Sequence, residues 1–294
     1  AALGVAIDGS AGWWPMDTGR AVLPALDPYG DPAHEITVFN RGRQPFDVRA
    51  RSGAPWLVVT PAHGRVTDQL VLRVSVAWAR APIRAAPRRV PVTITGAGRT
   101  VTVEVPVANP PAPRPAAARG FVEGDGYVAV EAAHYTRAVS APPVHWVQIP
   151  GLGRTLSGMT PFPVTAPRQT PAAGAASPHL DYRMVLFDGG DVSVRVTCSP
   201  TLDFLASGLR YAVSFDDQPP QVVNIVADTT LKTWERWVSD NANVTVTHHH
   251  LAGPGAHVLH FWMVDPGVVL QRIVVAHGDL HPSYLGPPES FHRP

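Results

Sequence analysis

Apolar positions recur with a period of two along most of this chain, in short runs broken by proline and glycine. Ile36-Thr37-Val38-Phe39 precedes the turn signal Asn40-Arg41-Gly42, and Leu70 to Val76 alternates in its second half. Val90-Pro91-Val92-Thr93-Ile94 and Val101-Thr102-Val103-Glu104-Val105 flank Thr95-Gly96-Ala97-Gly98. Alternating runs on either side of a glycine-bearing turn predict a hairpin. Strands of this length separated by Pro/Gly turns predict an immunoglobulin-like sandwich over residues 1–108, with Trp56 and Trp78 in its core.

The later half of the chain has the same texture. Tyr127 to Glu131, Tyr182 to Phe187, Val192 to Cys198, Arg210 to Phe215, Gln221 to Ile225, His257 to Trp262 and Val268 to Val275 all read as strands. About eight strands at this spacing fit a larger jelly-roll, galactose-binding-like sandwich over residues 120–294. One helix is expected, Leu231 to Val238, behind an Asp228/Thr229 cap. No strand–helix alternation occurs, so a parallel α/β sheet is not expected. Between the halves, Asn109-Pro110-Pro111-Ala112-Pro113-Arg114-Pro115-Ala116 carries too much proline for helix or ladder pairing. Residues 109–119 therefore read as an extended linker.

Composition narrows the function classes. At 45% hydrophobic and 16% charged, the chain is globular. A net charge of +1, with no basic run carrying interleaved aromatics, gives no electrostatic support for nucleic acid or membrane partners. The basic residues are arginine except for Lys232, which suits planar recognition of carboxylates but equally follows from a GC-rich genome. Cys198, the single cysteine, sits in an alternating run and reads as a small buried hydrophobe. No apolar run approaches the ~18 residues of a spanning helix, and Ala1 to Ile7 does not read as a signal peptide.

Candidate chemistry is sparse. There is no phosphate loop and no nucleophile elbow. Asp216-Asp217 sits at a strand end, where neighbouring carboxylates point apart and serve as turn formers rather than as a glycosidase pair. His248-His249-His250, with His257 and His260, raises a metal reading. Consecutive strand residues alternate between faces, however, so the triplet reads as a solvated strand end and no metal site is expected. His257 and His260 differ in parity and should face opposite sides. Sugar stacking needs exposed rings with a few directed polar groups. Candidate substrate-binding residues are Trp13, Trp14, Trp146 and Tyr284, with Trp234 and Trp237 as further rings. The alternative is that these tryptophans staple loops onto the sandwiches or fill a contact with a missing domain. Arg154, in the glycine-rich Gly151-Leu152-Gly153-Arg154-Thr155, could pair a uronate carboxylate in bidentate fashion or be an ordinary surface arginine.

Several stretches are familiar together: Leu23 to Gly30 with Ile36 to Gly42, Phe121 to Ala132, Ile149 to Thr155, Val264 to Gln271, and Pro282 to Ser290. In this order they resemble the C-terminal region of family 115 α-glucuronidases, over almost the whole chain. The resemblance implies a parent enzyme that releases glucuronic acid or its 4-O-methyl ether from xylan side chains, with its catalytic barrel upstream of this region. It implies no catalytic residues in this chain, a secreted or periplasmic parent, and a terminal sandwich associated with dimer contacts and with shaping the substrate site. Val130-Glu131-Ala132-Ala133-His134 is also similar to the first strand of calcium-containing carbohydrate-binding modules. Ala133 stands where those carry a second acidic residue, which weakens any calcium site, and no cofactor is expected.

The leading expectation is therefore a non-catalytic module pair that binds or positions glucuronate-bearing polysaccharide such as glucuronoxylan, or dimerises. The rivals are a purely structural or oligomerisation region without sugar affinity, and an independent carbohydrate-active enzyme.

Overall fold

The computed structural model describes residues 1–111, 118–172, 177–228, 230–278, 280 and 283–293, with the backbone alone at 85 and 86. Most of the segment expected as a linker, residues 112–117, lies outside the described residues. The chain divides into two compact units, Ala1–Ala117 and Ala118–Pro294. Among the described residues no helix is long and apolar enough to cross a membrane.

The first unit is built from strands β1 (Leu3–Ile7), β2 (Trp13–Trp14), β3 (Ala21–Val22), β4 (Ala33–Asn40) and β5 (Phe46–Ser52). It continues with β6 (Leu57–Thr60), β7 (His63–Val66), β8 (Gln69–Val76), β9 (Arg84–Gly96) and β10 (Arg99–Asn109). They form two five-stranded sheets, in the orders β2-β1-β4-β8-β6 and β3-β10-β9-β5-β7. Inward residues of both sheets, among them Val5, Ile36, Val38, Val48, Leu72, Ile94 and Val103, share one apolar core. This is the sandwich that the period-two pattern demands: each strand buries one face and leaves the other to solvent. The β9–β10 hairpin turns at Ala97-Gly98, both at positive φ. Trp56 is buried in this core and Trp78 packs against it.

The second unit is also a sandwich. Its strands are β11 (Gly120–Val122), β12 (Tyr127–Glu131), β13 (Arg137–Val139), β14 (His145–Pro150), β15 (Ser157–Phe162), β16 (His179–Leu186) and β17 (Gly190–Cys198). After them come β18 (Arg210–Phe215), β19 (Gln221–Asn224), helix α1 (Leu231–Asp240), β20 (Asn243–Leu251), β21 (Gly255–Met263), β22 (Leu270–Ala276) and β23 (His292–Arg293). One sheet runs β19-β18-β21-β16-β11-β23 with β13 beside β16, the other β14-β15-β22-β17-β20 with β12 beside β22. Tyr182, Val213 and Phe261 from the first meet Val194, Leu270 and Ile273 from the second in one core. Cys198 belongs to it, and burial pushes its thiol up to about 12.

Some local expectations are corrected. The helix cap is Thr230, whose side chain accepts from the Thr233 N–H, while Asp228 accepts from the Thr230 N–H and the Thr233 hydroxyl. Thr229 lies outside the described residues. The histidine triplet is not wholly solvated: His248 and His250 are exposed, but His249 between them points inward and is 5% exposed. Asp216 does form a turn, at φ +49, and its carboxylate accepts from the Val258 N–H and contacts His257 Nδ1 at 2.8 Å.

Candidate carbohydrate-binding site

The residues proposed from the sequence separate on folding. In the first unit Trp13 is half-buried, its ring edge-on to Phe39 and covered by the Arg41 guanidinium at 4.2 Å. Trp14 is 8% exposed, donates through Nε1 to the Gly19 carbonyl and borders an open cavity of about 320 Å³ with Arg20 and Glu104. In the second unit Trp146 packs against the core, edge-on to Phe261, and its Nε1 donates to the Val139 carbonyl. Trp234 also packs against that core, into which Trp237 is buried. These four indoles, Trp14, Trp146, Trp234 and Trp237, are used for packing, because an indole brings more apolar area to a sandwich than any other side chain.

Arg154 and Tyr284 come together. The loop between β14 and β15 carries Gly151 and Gly153 at positive φ, and a Cβ on Gly153 would meet the Gln271 side chain at 3.0 Å. Glycine there lets the loop approach β22, where the Arg154 N–H donates to Gln271 Oε1. Gln271 is itself fixed, its Nε2 donating to Ser199 Oγ and the Asn241 carbonyl. The Arg154 side chain projects its guanidinium 4.1 Å from the centre of the Tyr284 ring. Arg154 Nε is buried and finds no hydrogen-bond partner among the described residues, and Tyr284 is 67% exposed.

A second arginine supports this rim from below. Glu131, at the end of β12, accepts from the Thr155 hydroxyl at 2.7 Å and faces Arg272 Nε at 3.8 Å. Arg272 donates to the carbonyls of Leu285 and Pro287, so it anchors the tail segment that carries Tyr284. The tail continues along β12: Glu289 accepts from the Glu131 N–H, and Ser290 exchanges two hydrogen bonds with Ala129. The Glu131 carboxylate is thus held by a hydroxyl and faces a guanidinium.

Four of the sequence stretches that carry the family resemblance thus converge here, those containing Glu131, Arg154, Gln271 and Tyr284. The glycosyl hydrolase family 115 C-terminal domain model matches residues 120–289. The chain belongs to this family. Among solved structures, the family 115 chain is similar to a 4-O-methyl-α-glucuronidase with specificity for decorated arabinogalactans, at 18% identity and a TM-score of 0.41. That match covers 58% of this chain and 19% of that one, so the chain spans under a fifth of the glucuronidase's length. It is also similar to a family 35 carbohydrate-binding module from Clostridium thermocellum, at 9% identity and a TM-score of 0.31, covering 51% of this chain and 96% of the module. No curated protein matches the family 115 chain.

Proposed function

We propose that this chain is the C-terminal, non-catalytic part of an α-glucuronidase acting on glucuronoxylan, and that its second sandwich contributes to substrate binding through Arg154 and Tyr284. The carrying observation is the stacked pair itself, an exposed tyrosine ring backed by the Arg154 guanidinium. Stacking on one face by Arg154 holds the ring still and leaves the other face for a pyranose. A uronate carboxylate would meet the terminal nitrogens of the planar guanidinium, a pairing that is directional and charge-assisted. Membership of family 115 supports a parent of this activity, secreted or periplasmic, with the chemistry done by a catalytic domain elsewhere in it. In this reading the partners are that domain and the glucuronate-bearing polysaccharide.

Affinity electrophoresis of the chain in glucuronoxylan and in undecorated xylan tests this. Retardation by glucuronoxylan alone is expected, reduced at least about fivefold in Arg154→Ala and Tyr284→Ala, as loss of one charge-assisted contact or one stacking face implies. The second reading, a structural or dimerising region without sugar affinity, is favoured by the burial of Trp14 in one core and the packing of Trp146 against the other. Absence of retardation in both gels, with self-association on a sizing column, would decide for it.

A further inference from the structure

The second unit carries a polar cluster distant in character from the rim. His179 and Asp181 lie two residues apart on β16 and so share a face, while Leu180 and Tyr182 point into the core. Asp181 stands opposite His260 of β21 on one side and Arg137 of β13 on the other. His260 Nδ1 lies 2.6 Å and His179 Nε2 3.1 Å from Asp181 Oδ1, and Arg137 Nε donates to Oδ2 at 2.7 Å. Burial alone would raise the Asp181 carboxyl, but the contacts from His179, His260 and Arg137 outweigh it and hold the group well below the usual carboxylate range.

The donor and acceptor count around His179 is unusual. Its Nδ1 is 2.7 Å from the Ser177 carbonyl oxygen, which can only accept, so Nδ1 carries a hydrogen. Its Nε2 then faces a carboxylate oxygen, which also only accepts. A metal ion held by both atoms would satisfy the Nε2 lone pair and the carboxylate oxygen together.

We propose that His179 Nε2, Asp181 Oδ1 and His260 Nδ1 form a binding site for one divalent transition-metal ion, with zinc the best match to the ligand set. The three ligand atoms lie within 4.8 Å of one another, a spread that bonds of about 2.0–2.2 Å bridge with small side-chain adjustments. Two imidazoles and one carboxylate suit zinc and its borderline neighbours, and not calcium or magnesium. The hydrogen bond from His179 to a backbone carbonyl is the outer contact that fixes the tautomer of a metal-bound imidazole. Arg137 takes Oδ2 and leaves Oδ1 to the ion. The Trp262 ring packs against His179 at 4.2 Å, and its own Nε1 is tied to Ser214 Oγ, so the imidazole is held on a rigid support. Ion binding requires His179 Nε2 and His260 Nδ1 to be free of protons, so affinity falls as pH is lowered.

The test uses the full chain, stripped with EDTA, desalted and titrated with zinc chloride. Bound metal is counted by mass spectrometry after a second desalting, and thermal unfolding is followed in parallel. About one zinc per chain and a raised unfolding midpoint are expected, with affinity falling at least about tenfold in His179→Gln and in His260→Gln. A His248→Gln/His250→Gln double variant should retain the ion, since those exposed side chains lie on β20. Should His179→Gln fail to fold, His260→Gln carries the test, because its ring is the more exposed of the two. Wild-type chain that retains no zinc would overturn the proposal. So would a folded His260→Gln chain that binds zinc as the parent does.

Discussion

His249 illustrates how one side chain acquires a property its neighbours lack. The strand period turns it inward while His248 and His250 face out, and its ring nitrogens meet Thr247 Oγ1 and Gln221 Nε2 beside the Phe215 ring. Burial, helped by the nearby His248, pushes its imidazole down from 6.5 to about 4. The unfolded chain therefore binds a proton between about pH 6.5 and 4 that the folded chain refuses, and stability falls as pH falls through that window. Replacing His249 by Gln should flatten the pH dependence of the urea midpoint there relative to the parent. An unchanged slope across the window would show that the imidazole is already solvated in the fold.

The β9–β10 hairpin shows the same economy at the level of an element. Its turn places Ala97 at φ +48 and Gly98 at φ +70, the pair of left-handed conformations that a two-residue hairpin turn requires. Glycine adopts this freely, whereas alanine is disfavoured there by roughly 1–2 kcal/mol. Asn tolerates the conformation, so Ala97→Asn should gain about 0.5–1 kcal/mol, read as a higher urea midpoint at unchanged m-value. A lower midpoint would mean that the methyl group's packing against the core outweighs the backbone strain. In the second unit, the tail does for β12 what a strand would do. Residues Glu289 and Ser290 satisfy its edge groups, and β23 then pairs with β11 of the other sheet.

At the scale of the whole molecule, each unit owns a core drawn from both of its sheets. A chain of residues 118–294 alone should consequently unfold in a single cooperative transition. It should also keep whatever retardation on glucuronoxylan the full chain shows, because Arg154 and Tyr284 both lie in it. A collapsed fragment without fixed tertiary packing, seen as lost near-ultraviolet dichroism, would mean that the second core depends on the first 117 residues.

Strand content, the Ala97-Gly98 turn and the inward set of the sandwiches were legible in the sequence, because a period of two with Pro/Gly breaks leaves the chain few other ways to bury its apolar residues. The rim was legible in part. Gly151-Leu152-Gly153-Arg154 announced a loop with a directed arginine, but Tyr284 could be paired with it only once Arg272 tied the tail beneath the loop. The tryptophans left two readings open, sugar stacking or packing, since an aromatic ring reads the same in a sequence whether it stacks on a sugar or fills a core. His179 was passed over because the strand was read from Tyr182 onward, whereas it begins three residues earlier and brings His179 and Asp181 onto one face. Hydrophobic periodicity is a local quantity and fixed the elements. Pairing of β16 with β21 and β13 joins residues up to 123 positions apart, from Arg137 to His260, and only the tertiary structure could bring those charges around one carboxylate.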